Sequence, residues 1–353
     1  MLKRLVLILL MTLLFGAVML GPVQSQATDL LSLEKPGPYE VYNTEMTFVD
    51  AKRDNWELKT TIWYPAYPAQ GTPLFRGSKL LKDVPPDRTG APYPLIIYSH
   101  GWMGSPTDMA SLMGHLASYG YVVAGPSHHD YQADHAYVDR PLDILTVLDG
   151  LSNLMDGDLA GMIDANNVGL MGSDTGAETT LQMIGLMYDP IHHESWCAEH
   201  ENLTTTDCFV SFQKTSDYRA QLGLEDLPDG RWQPFGDDRI HAALAIAPCT
   251  FPLITEDMLA ELSTPVMFVY GAADTVCDYE GNAVRSYTGL TLEDRYLVTL
   301  LYTDHFPSPN TLLPFVPAFF GLYVQGNEDF ATALTAEQAE HIHGVVWGPY
   351  AGD

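Results

Sequence analysis

The chain is poor in positive charge. Lys and Arg number 17 against 45 Asp and Glu, giving a formal net charge of −28 over 353 residues. That balance excludes nucleic acid and anionic membrane surfaces as partners, since both are held through basic patches. Cysteine is scarce as well: four residues with no C-x-x-C spacing, which argues against a thiolate metal site. Beyond the N-terminus no apolar run is long enough to cross a bilayer. There is no internal repeat and no low-complexity segment.

What is present begins with "MLKRLVLILLMTLLFGAVMLGPVQSQA". Lys3 and Arg4 precede an apolar run from Leu5 to Leu20, then small and polar residues, the pattern of a signal peptide over residues 1–27. No cysteine stands near Ser25 to Ala27, which speaks against a lipoprotein anchor. The expectation is a secreted or periplasmic product without a stable membrane anchor; an uncleaved anchor is the alternative. In an oxidising compartment four cysteines pair in one of three ways. Cys197 and Cys208 bracket the polar loop "CAEHENLTTTDC" and are expected to bridge. Cys249 and Cys277 each follow a predicted strand, so they can meet at one end of a sheet.

Apolar, β-branched runs alternate with helical patterns through residues 28–353, the signature of a mainly parallel α/β sheet in one domain. Eight strands are predicted, beginning near Thr44, Leu58, Pro94, Gly120, Asn167, His241, Pro265 and Arg295. The first two lie too close in sequence for a crossover and should pair antiparallel. Helical patterns cover Thr107–Ser118, Asp139–Met155, Gly176–Met187, Glu280–Tyr287 and Leu312–Val324, and "HIHGVVWGPY" from His341 reads as a terminal amphipathic helix. Between Tyr188 and Asp238 the rhythm breaks into a polar stretch rich in His, Trp and Asp with no strand pattern, suited to a cap over a site.

The decisive stretch is "NVGLMGSDTGAETTL", a strand, a small-residue turn and a helix. A tight strand-to-helix turn that lifts a nucleophile above the sheet tolerates only small neighbours two positions either side of its tip. Gly172 and Gly176 meet that requirement around Asp174, whereas Met171 and Thr175 fail it around Ser173. The frame therefore puts an aspartate at the tip and turns Ser173 aside. Downstream, "GAADTVCD" offers Asp274 after one strand and "YTDHFPSP" offers His305 after the next, in the order nucleophile, acid, base. Upstream, His100-Gly101-Trp102 ends a central strand, where backbone N–H groups can join that of Thr175 in an oxyanion hole.

At these residues the chain resembles the exported α/β-hydrolases grouped with platelet-activating-factor acetylhydrolase and the predicted dienelactone hydrolases. "KPGPYEVYNTEMTFVDAKRDNWELKTTIWYPA" is similar to their N-terminal hairpin, and "SHGWMGSPTDMASLMGHLASYGYVVAGPSHHD" to their oxyanion strand and next helix. "DRPLDILTVLDGL" resembles the helix leading to the elbow, and "GAAD" and "DHF" fall where the family keeps its acid and histidine. The resemblance implies an α/β-hydrolase fold with an eight-stranded sheet and a cap near residues 188–238. It further implies an ester-hydrolase lineage, Trp102 and Thr175 as oxyanion donors, and no cofactor. The departure is Asp174, where the family has serine.

A carboxylate attacks ester carbonyls poorly but attacks a saturated carbon well, giving an alkyl-enzyme ester that water activated by His305 can cleave. Haloalkane dehalogenases and epoxide hydrolases work in this way. Trp102 for a halide, or Tyr188 and Tyr218 for an epoxide, are the candidate leaving-group donors. Two other readings stay open: Asp174 as a base on water in slow ester hydrolysis, or a non-catalytic relative that binds a ligand. The substrate is expected to be a small ester-like or alkylating molecule. The cluster His128, His129, Asp130, Asp134 and His135 lacks ligand spacing and is not read as a metal site; His192 and His193 read as polar cap residues. Asn202 in "NLT" is a glycosylation acceptor only in a eukaryotic host.

Overall fold

The computed structural model describes residues 28–67, 84–129, 132–200, 208 and 210–351. The expected signal peptide, Asp130 and Asn202 lie outside the described residues. Within them a nine-stranded sheet runs in the order β1-β2-β4-β3-β5-β6-β7-β8-β9. The strands are β1 (Glu40–Asp50), β2 (Trp56–Ala66), β3 (Tyr93–Ser99), β4 (Val122–Pro126), β5 (Ile163–Ser173), β6 (Ile240–Ile246), β7 (Val266–Gly271), β8 (Arg295–Leu300) and β9 (Val345–Trp347). Pairing is parallel from β4 through β3, β5, β6 and β7 to β8. It is antiparallel at both margins: β1 with β2, β2 with β4, and β8 with β9.

All eight expected strands are present, but the count was one short. The terminal amphipathic helix expected from His341 is corrected: a four-residue helix, Ala336–Ala339, precedes a turn, and Val345–Trp347 then pairs with β8. Three residues are too few to show a period of two. The Val-Val-Trp side chains carry the β preference that the histidine-rich flank hides.

Alternation along the central strands explains the two cores. Leu95 and Ile97 of β3 pack with Val122, Ala124, Val168 and Leu170 on one face. Ile96 and Tyr98 pack with Val123 and Met171 on the other. With both faces buried, parallel strands read as continuous apolar runs, as they do here.

The helices that frame the site are α1 (Ala110–Ser118), α2 (Ala133–Ser152) and α3 (Thr175–Met183). α2 starts six residues before the expected Asp139 and carries Pro141 inside it. The interval after α3, expected to be irregular, contains two helices, α4 (Pro190–Glu199) and α5 (Phe212–Gln221). Their N-termini are capped by the Asp189 carboxylate and the Ser211 hydroxyl. Stacking of Phe212 on Trp232, with ring centroids 4.7 Å apart, and the Cys197–Cys208 disulfide hold this interval together. Its segment Ser211–Thr215 docks on Asp134 at the start of α2.

Candidate active site

Four loops at the carboxyl ends of β3, β5, β7 and β8 converge. The loop after β5 is the tightest. A Cβ on Gly172 would collide with the carbonyl oxygen of Gly176, and one on Gly176 with the carbonyl oxygen of Ser99. Glycine at both positions is what lets the strand turn into α3 within one residue. That residue is Asp174, at φ 53° and ψ −129°, a conformation costly for any residue with a side chain and found where function holds it. Its N–H donates to the Ile246 carbonyl at 2.9 Å, tying the tip to the end of β6.

The two carboxylate oxygens of Asp174 have different partners. Oδ2 accepts the backbone N–H of Trp102 at 2.7 Å and lies 3.5 Å from the Thr175 hydroxyl. Oδ1 meets Nε2 of His305 at 3.3 Å. The other ring nitrogen, Nδ1, meets Oδ2 of Asp274 at 2.8 Å. Asp274 is held in turn by the N–H groups of Val276 and Cys277, at 2.8 and 2.9 Å on its Oδ1. The Cys249–Cys277 disulfide links this acid loop to the chain after β6.

Electrostatics follow from that geometry. Burial disfavours the charged form of His305, but hydrogen bonds and charge from Asp174 and Asp274 outweigh it and push the imidazole up to about 9. Burial likewise opposes ionisation of Asp174, yet the hydrogen bonds from His305 and the Trp102 amide hold its carboxyl below the usual carboxylate range. Both shifts favour an imidazolium of His305 against an ionised Asp174 at neutral pH.

Every expected site residue, Asp174, His305, Asp274, Trp102 and Thr175, comes to this one place, and both expected disulfides are formed. Ser173 faces elsewhere: its hydroxyl shares a hydrogen bond of 3.0 Å with Tyr98, a fully buried side chain. The tyrosines named as hydroxyl donors are engaged away from Asp174. Tyr188 donates to the Glu178 carbonyl at 3.3 Å, and Tyr218 to Asp139 at 2.8 Å.

The histidine-rich segment is dispersed. His128 joins Ser99 and Asp143, His129 packs on Trp56, Asp134 caps the docked segment, and His135 stacks on Tyr218 with centroids 3.7 Å apart. Among the described residues, two groups bring three metal-ligating residues together, His193 with Cys197 and Cys208, and Asp274 with Cys277 and His305. In both, each cysteine sulfur is committed to a disulfide.

Sequence reasoning missed the buried groups behind the oxyanion turn. Arg140 donates to the carbonyl oxygens of His100 and Gly101. The visible signal was an arginine on the core side of an amphipathic helix, in "DRPLDIL".

Residues 80–144 match the model of a family described as platelet-activating factor acetylhydrolase, isoform II. The matched stretch spans β3, the oxyanion turn, α1, β4 and the first part of α2, and ends before Asp174, Asp274 and His305. The chain is similar to that family there. No curated protein matches it.

Proposed function

We propose that the protein is an exported α/β-hydrolase of the ester-hydrolase lineage in which Asp174 has replaced serine as nucleophile. It would act on small alkylating substrates, halides or epoxides, through an alkyl ester of its own carboxylate. The observation that carries this reading is the occupancy of the oxyanion site by Asp174 Oδ2 while Oδ1 stands against His305.

Oδ1 attacks a saturated carbon and the leaving group departs with the bonding pair. The new ester has its carbonyl oxygen already on the Trp102 N–H, with the Thr175 N–H as the second donor the reaction would recruit. Esterification removes the Asp174 charge, and with it a main support of the raised His305 pKa, so the ring can lose its proton and become a base. It then takes a proton from water, which adds to the ester carbon. The oxyanion forms at Oδ2. Its collapse breaks the Cγ–Oδ1 bond, and His305 gives its proton to the departing oxygen to release the alcohol. The Asp174 carboxyl then returns a proton to the ring, restoring the resting pair. Asp274 keeps the ring in the tautomer that the base step needs.

The domain is residues 28–353 after loss of residues 1–27, with residues 188–238 as a cap. The reaction as written uses only side chains and backbone amides of this chain. A second reading is favoured by the match over residues 80–144: an ester substrate, with Asp174 as base on water. It requires Oδ2 to vacate the Trp102 amide so that a substrate carbonyl can enter.

A substrate panel separates the readings. Turnover of haloalkanes or epoxides, with no organophosphate labelling of Ser173, supports the alkyl-enzyme. Turnover of short aryl esters alone supports the water-base reading. Silence on all three classes favours a ligand-binding relative. Asp174→Ser should raise aryl-esterase activity and create organophosphate sensitivity, because acid, histidine and oxyanion donors are already placed.

A further inference from the structure

The Trp102 N–H that holds Asp174 Oδ2 belongs to the same peptide unit as the Gly101 carbonyl. That carbonyl accepts the Gly104 backbone N–H at 3.0 Å and is also the target of two side-chain donors. Arg140 Nη2 reaches it at 3.1 Å, and His100 Nδ1 at 2.8 Å. Arg140 Nη1 holds the preceding carbonyl, of His100, so one guanidinium forks across two successive peptide oxygens. Arg140 is 1 % exposed and its charge is permanent.

The tautomer of His100 is fixed from behind. The backbone N–H of His128 donates to His100 Nε2 at 3.1 Å, which leaves the proton on Nδ1 and aims it at Gly101. His128 is in turn locked by its ring. Nε2 meets the Ser99 hydroxyl at 2.9 Å, and Nδ1 meets Asp143 at 2.8 Å. Arg53 pairs with the other oxygen of Asp143 at 2.7 Å. Ser99, His128 and Asp143 have the spacing of a nucleophilic trio, but Ser99 is 1 % exposed and its hydroxyl has no route to a substrate.

We infer that Arg140 and His100 are positioning residues that polarise the Gly101–Trp102 peptide and so strengthen the oxyanion donor used at Asp174. Hydrogen bonds at a peptide oxygen draw density from its N–H and make it a stronger donor, and a cationic partner in a water-excluded site does so most. The 2.7 Å Trp102–Asp174 bond fits a charge-assisted donor of this kind. The inference rests on the proposed chemistry only for its kinetic consequence; the polarised amide exists whatever the substrate.

The test uses full-length mature protein with 15N-labelled tryptophan, in which the Trp102 amide is followed directly. Arg140→Gln should move its proton resonance upfield, toward a weaker hydrogen bond, while the other five tryptophan amides stay in place. Arg140→Lys, which keeps the charge but loses the fork, should give an intermediate shift. His100→Ala removes the second side-chain donor and serves if the buried arginine variants do not fold. On whichever substrate the panel finds, kcat should fall roughly tenfold with KM little changed, a part of the ~10²–10³-fold that loss of a whole oxyanion donor costs. Conversion of alkyl-Asp174 to product should slow more than its formation, so the adduct accumulates. A Trp102 resonance unmoved in folded Arg140→Gln and His100→Ala overturns the inference. A shifted resonance without adduct accumulation leaves it standing and instead counts against the alkyl-enzyme reading.

Discussion

Two histidines in this molecule sit between a carboxylate and a second polar side chain at nearly the same distances. His305 lies 2.8 Å from Asp274 and 3.3 Å from Asp174; His128 lies 2.8 Å from Asp143 and 2.9 Å from Ser99. Distances alone would rate the second as the better trio. The differences are in what surrounds them. Asp174 stands at the tip of a strained turn, its side chain 20 % exposed, with backbone donors aimed at it. Ser99 is enclosed within the end of β3, and Asp143 is sealed against Arg53, with a side chain wholly buried. Triad spacing is therefore a cheap motif. On the proposed chemistry, a strained, accessible carboxylate beside a backbone donor is what would separate a reactive centre from a structural one.

Substitution should split the two trios cleanly. Asp174→Asn is expected to lower kcat by roughly 10⁴-fold or more, since loss of a nucleophile removes the covalent route, while Ser99→Ala should stay within a few-fold of the parent. Equal losses would erase the distinction drawn above.

Stability should respond in the opposite sense. Asp143→Asn takes from Arg53 its most deeply buried partner, leaving Asp50 at 2.6 Å and Asp139 at 3.3 Å, and should cost up to about 3–5 kcal/mol in urea unfolding. Asp274→Asn, which strips no buried arginine of a partner, should cost less than that while being far more harmful to activity. Burial raises the Asp143 carboxyl to about 6 despite Arg53, so its ionised form costs stability above that value, and the cost is relieved as pH falls through it.

A steric probe joins the two regions. Gly176→Ala pushes a methyl group against the Ser99 carbonyl, at the seam between them. A cost of about 1–3 kcal/mol is expected from forced backbone shifts, together with loss of the Trp102–Asp174 contact in a refined structure. Retention of full activity would mean that the elbow is less tight than described.

Titration gives a smaller and directional effect. The His305 resonances should titrate near 9 in the parent and move down toward the ordinary 6.5 in Asp174→Asn. Because the folded-state value is raised, the pairing stabilises the fold fully below about 6.5 and loses that contribution as pH rises through about 9. Asp174, with a depressed value, loses its share as pH falls through it. The stability gap between parent and Asp174→Asn should be widest between those limits. Ser173→Ala carries the smallest effect, a few-fold at most on any activity; abolition of activity would move the nucleophile one residue back.

The convergence of Asp174, Asp274 and His305 was legible because backbone sterics wrote it into glycine spacing. Gly172 and Gly176 leave room for only one tip, and strand ends then place Asp274 and His305. The sealed network was not legible, because Arg53, Ser99, His128, Asp143 and Arg140 meet only through packing of the β1–β2 turn, the ends of β3 and β4, and α2, with separations no local period records. The histidine-rich segment was seen as a cluster in sequence, yet its members face different neighbours in space. The interval after α3 was recognised by its break in rhythm, but not its helices, whose apolar faces are too weak to stand out from so many polar residues. β9 was hidden by its brevity.

The most direct test of the central claim is peptide mapping of the His305→Gln variant after incubation with a simple epoxide or alkyl iodide. Without its base this variant can form the ester but not hydrolyse it, so the account predicts a stable adduct on the peptide containing Asp174, fragmenting to Asp174 itself. An adduct on Ser173, or an unmodified protein that still hydrolyses aryl esters in the parent form, would contradict it.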